Sequence, residues 1–194
     1  MTEKRFIKIK KIVELRQKSL TLVLENIHDP HNAAAIFRTA DAVGIDKIYL
    51  VYNSNEFPKI GRITSGSAVK WIERVMYNNA TDCFNDLKSD GYKIFTTHMV
   101  EGEDNISLYD LDMTGKTAIV LGNEKEGVTD EAKKLSDANF LIPMKGMVQS
   151  LNVSVAAAVC LYEALRQREA AGLYDKSEYT ESELEQKLDF YLNK

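Results

Sequence analysis

A short apolar run, LTLVLE at residues 20–25, is followed by a polar loop, a helix start and a second apolar run, IDKIYLVY at 45–52. Runs of this length and composition, bounded by polar loops, read as strands buried on both faces. Between them, Asp29-Pro30 supplies an N-cap and a first helical residue whose missing N–H costs nothing. The helix predicted from about His31 to Val43 sets Ala33, Ile36, Phe37 and Ala40 on one face, and Gly44 stops it. Strand, helix and strand in this order make a βαβ unit. A parallel sheet covered by helices follows from it.

The alternation continues. Trp71–Tyr77, Tyr92–Thr97, Thr117–Leu121 and Phe140–Pro143 read as strands. Helices are predicted at Ala80–Ser89 (stopped by Gly91), Asp130–Leu135 and Asn152–Arg168, with a last short one from Ser182. Residues 53–69, with Gly61, Gly66, Thr64, Ser65 and Ser67, form a long loop of the kind that often carries function. A polar, acidic stretch before Thr117 reads as another loop. On Asn152–Arg168, Val153, Ala156, Ala157, Cys160, Leu161, Ala164 and Leu165 make one stripe. Val155, Val159 and Tyr162 widen it past a single face, as expected of a helix that also meets a partner subunit.

With 194 residues, 44% of them hydrophobic and 28% charged, the chain suits one domain with a short extension. MTEKRFIKIKK lacks the apolar core of a secretory signal, no run approaches a bilayer span, and Cys83 and Cys160 are too few and too far apart for a disulfide framework or a zinc site. A cytoplasmic protein without membrane attachment or metal is expected. The net charge of −4 argues against simple electrostatic coating of nucleic acid. The charge is uneven, however. The amphipathic helix predicted over Glu3–Gln17 is apolar at Phe6, Ile9, Ile12 and Val13. It lies in a stretch holding Lys4, Arg5, Lys8, Lys10, Lys11, Arg16 and Lys18 against Glu3 and Glu14, while the end from Glu178 is mostly acidic. Such a basic arm can supply phosphate contacts, or be a solvated helix face.

Three segments set polar groups just after a buried strand, where open α/β sheets bind ligands. In NIHDPHNAAAIFR, Asn32 lies in the first helical turn and Arg38 almost two turns on. Taken alone, Asn32 reads as a local cap and Arg38 as half of a surface ion pair with Asp41. His28 and His31 are loop or RNA-facing residues. LGNEKEGV at 121–128 makes a tight turn with exposed N–H groups, but it is neither GxGxxG nor a P-loop. IPMKGMVQSLNVSVAAA at 142–158 passes from a strand through a Gly-Met loop into a helix that Ser150 or Asn152 can cap. Small residues after the cap let a backbone or a ligand approach closely.

The order N…R in a first βα unit, then GNExxG, then a strand, IPM and SLNVSVA resembles the three motifs of the SpoU group of RNA ribose 2′-O-methyltransferases, in the SPOUT superfamily. ENIHDPHNAAAIFRTADAVG, IPMKGMVQSLNVSVAAAV and RQREAAGLYD are most similar to its TrmH-like tRNA guanosine-2′-O-methyltransferases, and the likeness covers nearly the whole chain. The resemblance implies an α/β fold with a mostly parallel sheet flanked by helices and a C-terminal deep trefoil knot, which general topology rules would not suggest. It divides the chain into a basic N-terminal helix (1–18), a methyltransferase domain (19–171) and a C-terminal extension (172–194). The implied cofactor is S-adenosyl-L-methionine, held by Thr97, Leu121, Gly122, Asn123, Gly127, Ile142, Met144, Met147 and Leu151.

The implied catalytic set is Arg38, Asn32, Glu124, Ser150 and Asn152. In the family the motif-one arginine is assigned as the base acting on the 2′-hydroxyl. A guanidinium normally stays protonated, so Arg38 is expected instead to grip the neighbouring phosphate bidentately and to stabilise the developing alkoxide. The implied partners are tRNA, methylated on the D-loop guanosine conventionally numbered 18, and a second copy of the chain. The tRNA would be held by Lys4, Arg5, Lys8, Lys11 and Arg16, with Arg62, Lys70, Arg166 and Arg168 as further candidates. DNA is not an implied partner. The alternatives are a methyltransferase acting on ribosomal RNA ribose and a non-catalytic RNA-binding protein of the same fold.

Overall fold

The computed structural model describes residues 2–53, 56–61, 66–98 and 106–194. Seven strands, β1 (Leu20–Glu25), β2 (Lys47–Val51), β3 (Glu73–Tyr77), β4 (Lys93–Thr97), β5 (Ile106–Ser107), β6 (Thr117–Leu121) and β7 (Ala138–Leu141), form one sheet in the order β3-β2-β1-β6-β4-β7-β5. Every pairing is parallel. The helices are α1 (Glu3–Glu14), α2 (Pro30–Ala42), α3 (Ala80–Ser89), α4 (Asp130–Leu135), α5 (Val153–Ala170) and α6 (Glu181–Leu192).

Alternation along the strands divides the core in two. Leu22, Leu24, Ile48, Leu50, Ile119 and Leu121 pack with Ile36 and Phe37 of α2 and Leu161 of α5. Val23, Val51, Ile94 and Val120 face the other way, against Phe84 and Leu87 of α3 and Ala132 of α4. β1 and β6 lie at the centre, so every one of their residues is buried. A third, smaller cluster joins Ile9 and Val13 of α1 to Tyr191 of α6 over the Trp71 ring.

Strand order places the site. From β1 the chain runs outward through β2 to β3, then crosses to β4 and leaves a gap that β6 fills. The connections after β1 and β6 therefore depart in opposite directions from neighbouring strands, which opens a crevice at their C-terminal ends. Asp29 accepts from the His31 N–H at 2.8 Å as the N-cap of α2, with Pro30 beside it, and Gly44 takes φ +83° after the helix, as the sequence predicts.

Several boundaries differ from expectation. α1 ends at Glu14, where the Leu15 N–H closes on the Lys11 carbonyl and the Arg16 N–H tightens onto that of Val13. The last strand is Ala138–Leu141 rather than 140–143, since Pro143 has no N–H for a ladder. β5 lies in the stretch read as a loop, being too short to carry a period. Among the described residues no helix is long and apolar enough to cross a membrane. Cys83 and Cys160 are free and buried, and burial pushes both thiols up to about 12.

Two arginines expected at the RNA surface lie in the interior instead. Arg16 is 1% exposed; it donates to the Ile45 carbonyl at 2.8 Å, pairs with Asp41 and stacks on the Tyr191 ring. Arg168 is fully buried. Its Nε donates to the Met113 carbonyl, Nη1 to Gln17, Ser19 and Glu178, and Nη2 to the Ser19 and Gly115 carbonyls, at 2.6 to 3.3 Å. Burial draws its pKa down, and Glu178 opposes that. This fork ties the C-terminal segment to the starts of β1 and β6. Arg168→Met leaves Glu178 and buried carbonyls without their donor. It is expected to cost about 3–5 kcal/mol, read as a lowered denaturant midpoint at unchanged slope.

Candidate functional site

The parallel sheet brings the segments after β1, β4, β6 and β7 to one edge. After β6 the chain turns sharply. Asn123 and Gly127 exchange backbone hydrogen bonds at 2.9 Å, and the Asn123 side chain accepts from the Lys125 and Glu126 N–H groups at 2.8 and 3.1 Å. Gly122 is required there, because a Cβ would stand 2.2 Å from the Gly127 carbonyl carbon. Gly127 itself has φ +71°, the left-handed region that glycine enters freely. This closed turn presents Glu124 to the neighbouring loop.

The Glu124 carboxylate accepts from the backbone N–H groups of His28 and Asp29, both at 3.2 Å, and from Asn32 Nδ2 at 3.0 Å. Partial burial works against its charge, but these donors outweigh that and hold the carboxyl below the usual glutamate range. Asn32 Oδ1 accepts from Asn152 Nδ2 at 3.0 Å. Asn152 Oδ1 in turn caps α5, accepting from the Ser154 N–H at 2.8 Å and its hydroxyl at 2.6 Å. Of the two cap candidates, Asn152 therefore takes the role, and Ser150 stands exposed just before it. One chain of hydrogen bonds thus joins three of the expected site residues, drawn from three separate segments.

Arg38 is exposed on α2, two turns beyond Asn32. Asp41, the ion-pair partner expected from sequence, belongs to Arg16. Arg38 makes no hydrogen bond or ion pair among the described residues. It lines an open depression with His31, Ala35 and Thr39, and Gly66 lies against it: a Cβ there would be 3.4 Å from Arg38 Nε. An unengaged fork at the rim of the crevice can take a phosphate in two hydrogen bonds.

The residues expected to hold a cofactor lie along the same edge. Thr97 ends β4 and its hydroxyl donates to the Val120 carbonyl at 3.0 Å; Leu121 ends β6; Ile142 follows β7, and β6, β4 and β7 are consecutive in the sheet. Ile142, Met144 and Leu151 are half-buried, so apolar surface stays open there. Met147 is 99% exposed. Of the RNA set, Lys4, Arg5, Lys8 and Lys11 are exposed on α1, whereas Arg16 and Arg168 are not. Arg166 is exposed but spans both Glu163 oxygens at 2.9 and 2.7 Å. Arg62, Thr64 and Ser65 lie outside the described residues.

Sequence reasoning passed over two supports of the crevice. Glu25, buried at the end of β1, accepts the Thr129 N–H at 2.8 Å and hydroxyl at 2.7 Å, and so fixes the far end of the β6 loop. The backbone carbonyl of Asn26, a residue with φ 52°, accepts from Asn123 Nδ2 at 2.8 Å. A signal existed for the first: a carboxylate closing an otherwise apolar strand needs a buried partner.

Residues 19–162 match the model of the SpoU rRNA Methylase family. The chain belongs to this family. It is 45% identical over 175 residues to the tRNA (guanosine(18)-2′-O)-methyltransferase of Thermus thermophilus, covering 90% of this chain and 89% of that one. The crystal structure of the A. aeolicus TrmH/SpoU tRNA modifying enzyme superposes with a TM-score of 0.91 at 35% identity, over 98% of this chain and 97% of that chain. A more distant SpoU methyltransferase, AviRb from Streptomyces viridochromogenes in complex with AdoMet, superposes with a TM-score of 0.67 at 26% identity, over 81% and 59%. SpoU membership accounts for the order in which the three polar segments occur.

Two outcomes follow from this geometry. Gly122→Ala drives a methyl into backbone and is expected to lower stability by about 1–3 kcal/mol, measured by denaturant unfolding. Because the folded-state pKa of Glu124 is depressed, its contribution is present above the ordinary glutamate value of about 4.3 and is lost as pH falls through the lower folded value. Glu124→Gln should therefore flatten the stability–pH curve below about pH 4.3; a curve parallel to that of the unsubstituted protein would contradict the contact.

Proposed function

We infer that this protein transfers a methyl group from S-adenosyl-L-methionine to the ribose 2′-oxygen of guanosine 18 in tRNA. The observation that carries the reading is Arg38, unengaged among the described residues, on the same helix as Asn32 of the Glu124–Asn32–Asn152 chain at the C-terminal edge of the sheet, in a SpoU chain with tRNA (guanosine(18)-2′-O)-methyltransferases among its relatives. The cofactor residues fit the group. Thr97, the Leu121–Gly127 turn, Ile142, Met144 and Leu151 offer main-chain donors and acceptors beside open apolar side chains, which suits an adenine and a thioether-like chain. Bound there, S-adenosyl-L-methionine supplies a methyl made electrophilic by its sulfonium.

Arg38 grips the phosphate next to the target ribose in two hydrogen bonds and places positive charge beside the 2′-oxygen as its proton leaves. Asn32 keeps α2 in register with the β6 loop, Glu124 fixes that loop, and Asn152 aligns the start of α5 with both. Ser150, exposed beside that start, contacts the phosphate or the cofactor loop. The C-terminal segment threads as a trefoil knot, and a second copy covers Val155 and Tyr162 of α5, which are 48% and 53% exposed. The cytoplasm, where tRNA is modified, is the expected location. Lys4, Arg5, Lys8 and Lys11 hold the tRNA backbone in the basic segment 1–18, ahead of a methyltransferase domain at 19–171 and an extension at 172–194.

Incubation with labelled methyl donor and bulk tRNA, followed by nucleoside mapping, is expected to give label on the ribose of guanosine 18. Label on a base, or only on ribosomal RNA, would overturn the reading. Arg38→Lys should cut turnover at least a hundredfold, because a point charge cannot copy the fork; near-normal turnover would exclude the role. The basic arm is tested by neutralising Lys4, Arg5, Lys8 and Lys11 rather than by deletion, since Ile9, Val13 and Arg16 belong to the core. The slope of log affinity against log salt should then flatten by about one for each phosphate no longer neutralised.

A further inference from the structure

A second cluster of cations lies away from the basic arm. Lys70 ends a 3₁₀ turn (Ala68–Lys70), Arg74 lies on the edge strand β3, and Lys194 follows α6. The Lys70 and Lys194 ammonium groups each donate to the other's backbone oxygen. Lys70 Nζ stands 4.9 Å from the Trp71 ring centre and Lys194 Nζ 3.9 Å from that of Phe190, whose ring is half exposed. The neighbouring carboxylates are committed elsewhere. Glu73 pairs with Lys47 at 3.2 Å, and Asp46 takes Lys187 and the Tyr179 hydroxyl. Arg74 is exposed and makes no ion pair among the described residues. Burial, then Lys70, Arg74 and Lys187, depress the Lys194 pKa, while Glu73 opposes them. The three cations crowd together where Glu73, already paired with Lys47, is the carboxylate that offsets them, and a polyanion relieves their mutual repulsion.

The position of the cluster selects the polyanion. Gly66 touches Arg38, and the 3₁₀ turn that begins two residues later packs on α2. Four residues separate Gly66 from Lys70, at most about 14 Å of chain. Trp71 also packs on Ile9 and Val13, so the cluster adjoins α1. We propose that Lys70, Arg74 and Lys194, with the Trp71 and Phe190 rings between them, form a phosphodiester-binding surface that continues the RNA track from Arg38 down the β3 edge to α1. Aromatic rings beside cations suit a backbone whose bases are partly unpaired. The proposal rests on the tRNA reading above.

The test compares the unsubstituted protein, Lys70→Gln/Arg74→Gln, Arg74→Gln alone and the surface control Lys176→Gln. Binding to bulk tRNA is measured at several salt concentrations, with S-adenosyl-L-methionine affinity measured by calorimetry on the same samples. The double variant should bind tRNA several-fold more weakly and lose about two from the log–log salt slope, Arg74→Gln should lose about one, and cofactor affinity and the control should not change. If the double variant fails to fold, Arg74→Gln decides, because its side chain is exposed. A salt slope unchanged in Arg74→Gln overturns the surface while leaving the tRNA reading intact. Failure of the unsubstituted protein to bind tRNA overturns both.

Discussion

The Glu124 carboxylate holds two loops that strand order alone would only make neighbours. Parallel pairing of β1 with β6 puts their C-terminal ends side by side, but loops at such ends are free to diverge. Glu124 closes that freedom by accepting from His28, Asp29 and Asn32, and Asn32 passes the constraint to Asn152 and so to α5. Glu25 does the same from beneath, through Thr129. Asn32 is the buried member, so leaving it unpaired costs more than either of its bonds contributes.

Against this rigid chain, Arg38 is exposed and unengaged among the described residues. On the proposed reading the division is physically sensible: groups proposed to position are committed within the protein, while the group proposed to meet the substrate keeps its donors available. The other arginines follow the same division. Arg168 and Arg16 turn their donors to the interior, and the acidic C-terminal segment supplies Glu178 to the first and the Tyr191 ring to the second. The acidity of that segment, awkward for an RNA-binding chain, thus has a structural use: α6 packs on the basic α1, and Glu183 pairs with Lys18. The proposed nucleic-acid surface lies in consequence on α1 and the β3 edge.

Much of this is legible in the sequence, for identifiable reasons. Buried central strands are nearly continuous apolar runs, so β1 and β6 can be bounded from composition, and caps such as Asp29-Pro30 and Gly91 announce themselves. The wording of three motifs names Asn32, Glu124 and Asn152, but that wording says nothing of how they touch. What is not legible depends on tertiary neighbours. A cation reads the same whether its helix face meets water or a carboxylate from a distant segment, so sequence alone sets Arg16 and Arg168 at the surface. β5 is too short for a period, and the partner of Asp41 lies 25 positions away in sequence.

Joined through Asn32, Glu124 and Asn152 are proposed to act on catalysis as one unit. A double-mutant cycle on turnover with Glu124→Gln and Asn152→Ala tests it most directly. The double variant is then expected to lose about as much rate as the worse single variant. Losses that multiply, as for independent groups, would contradict it.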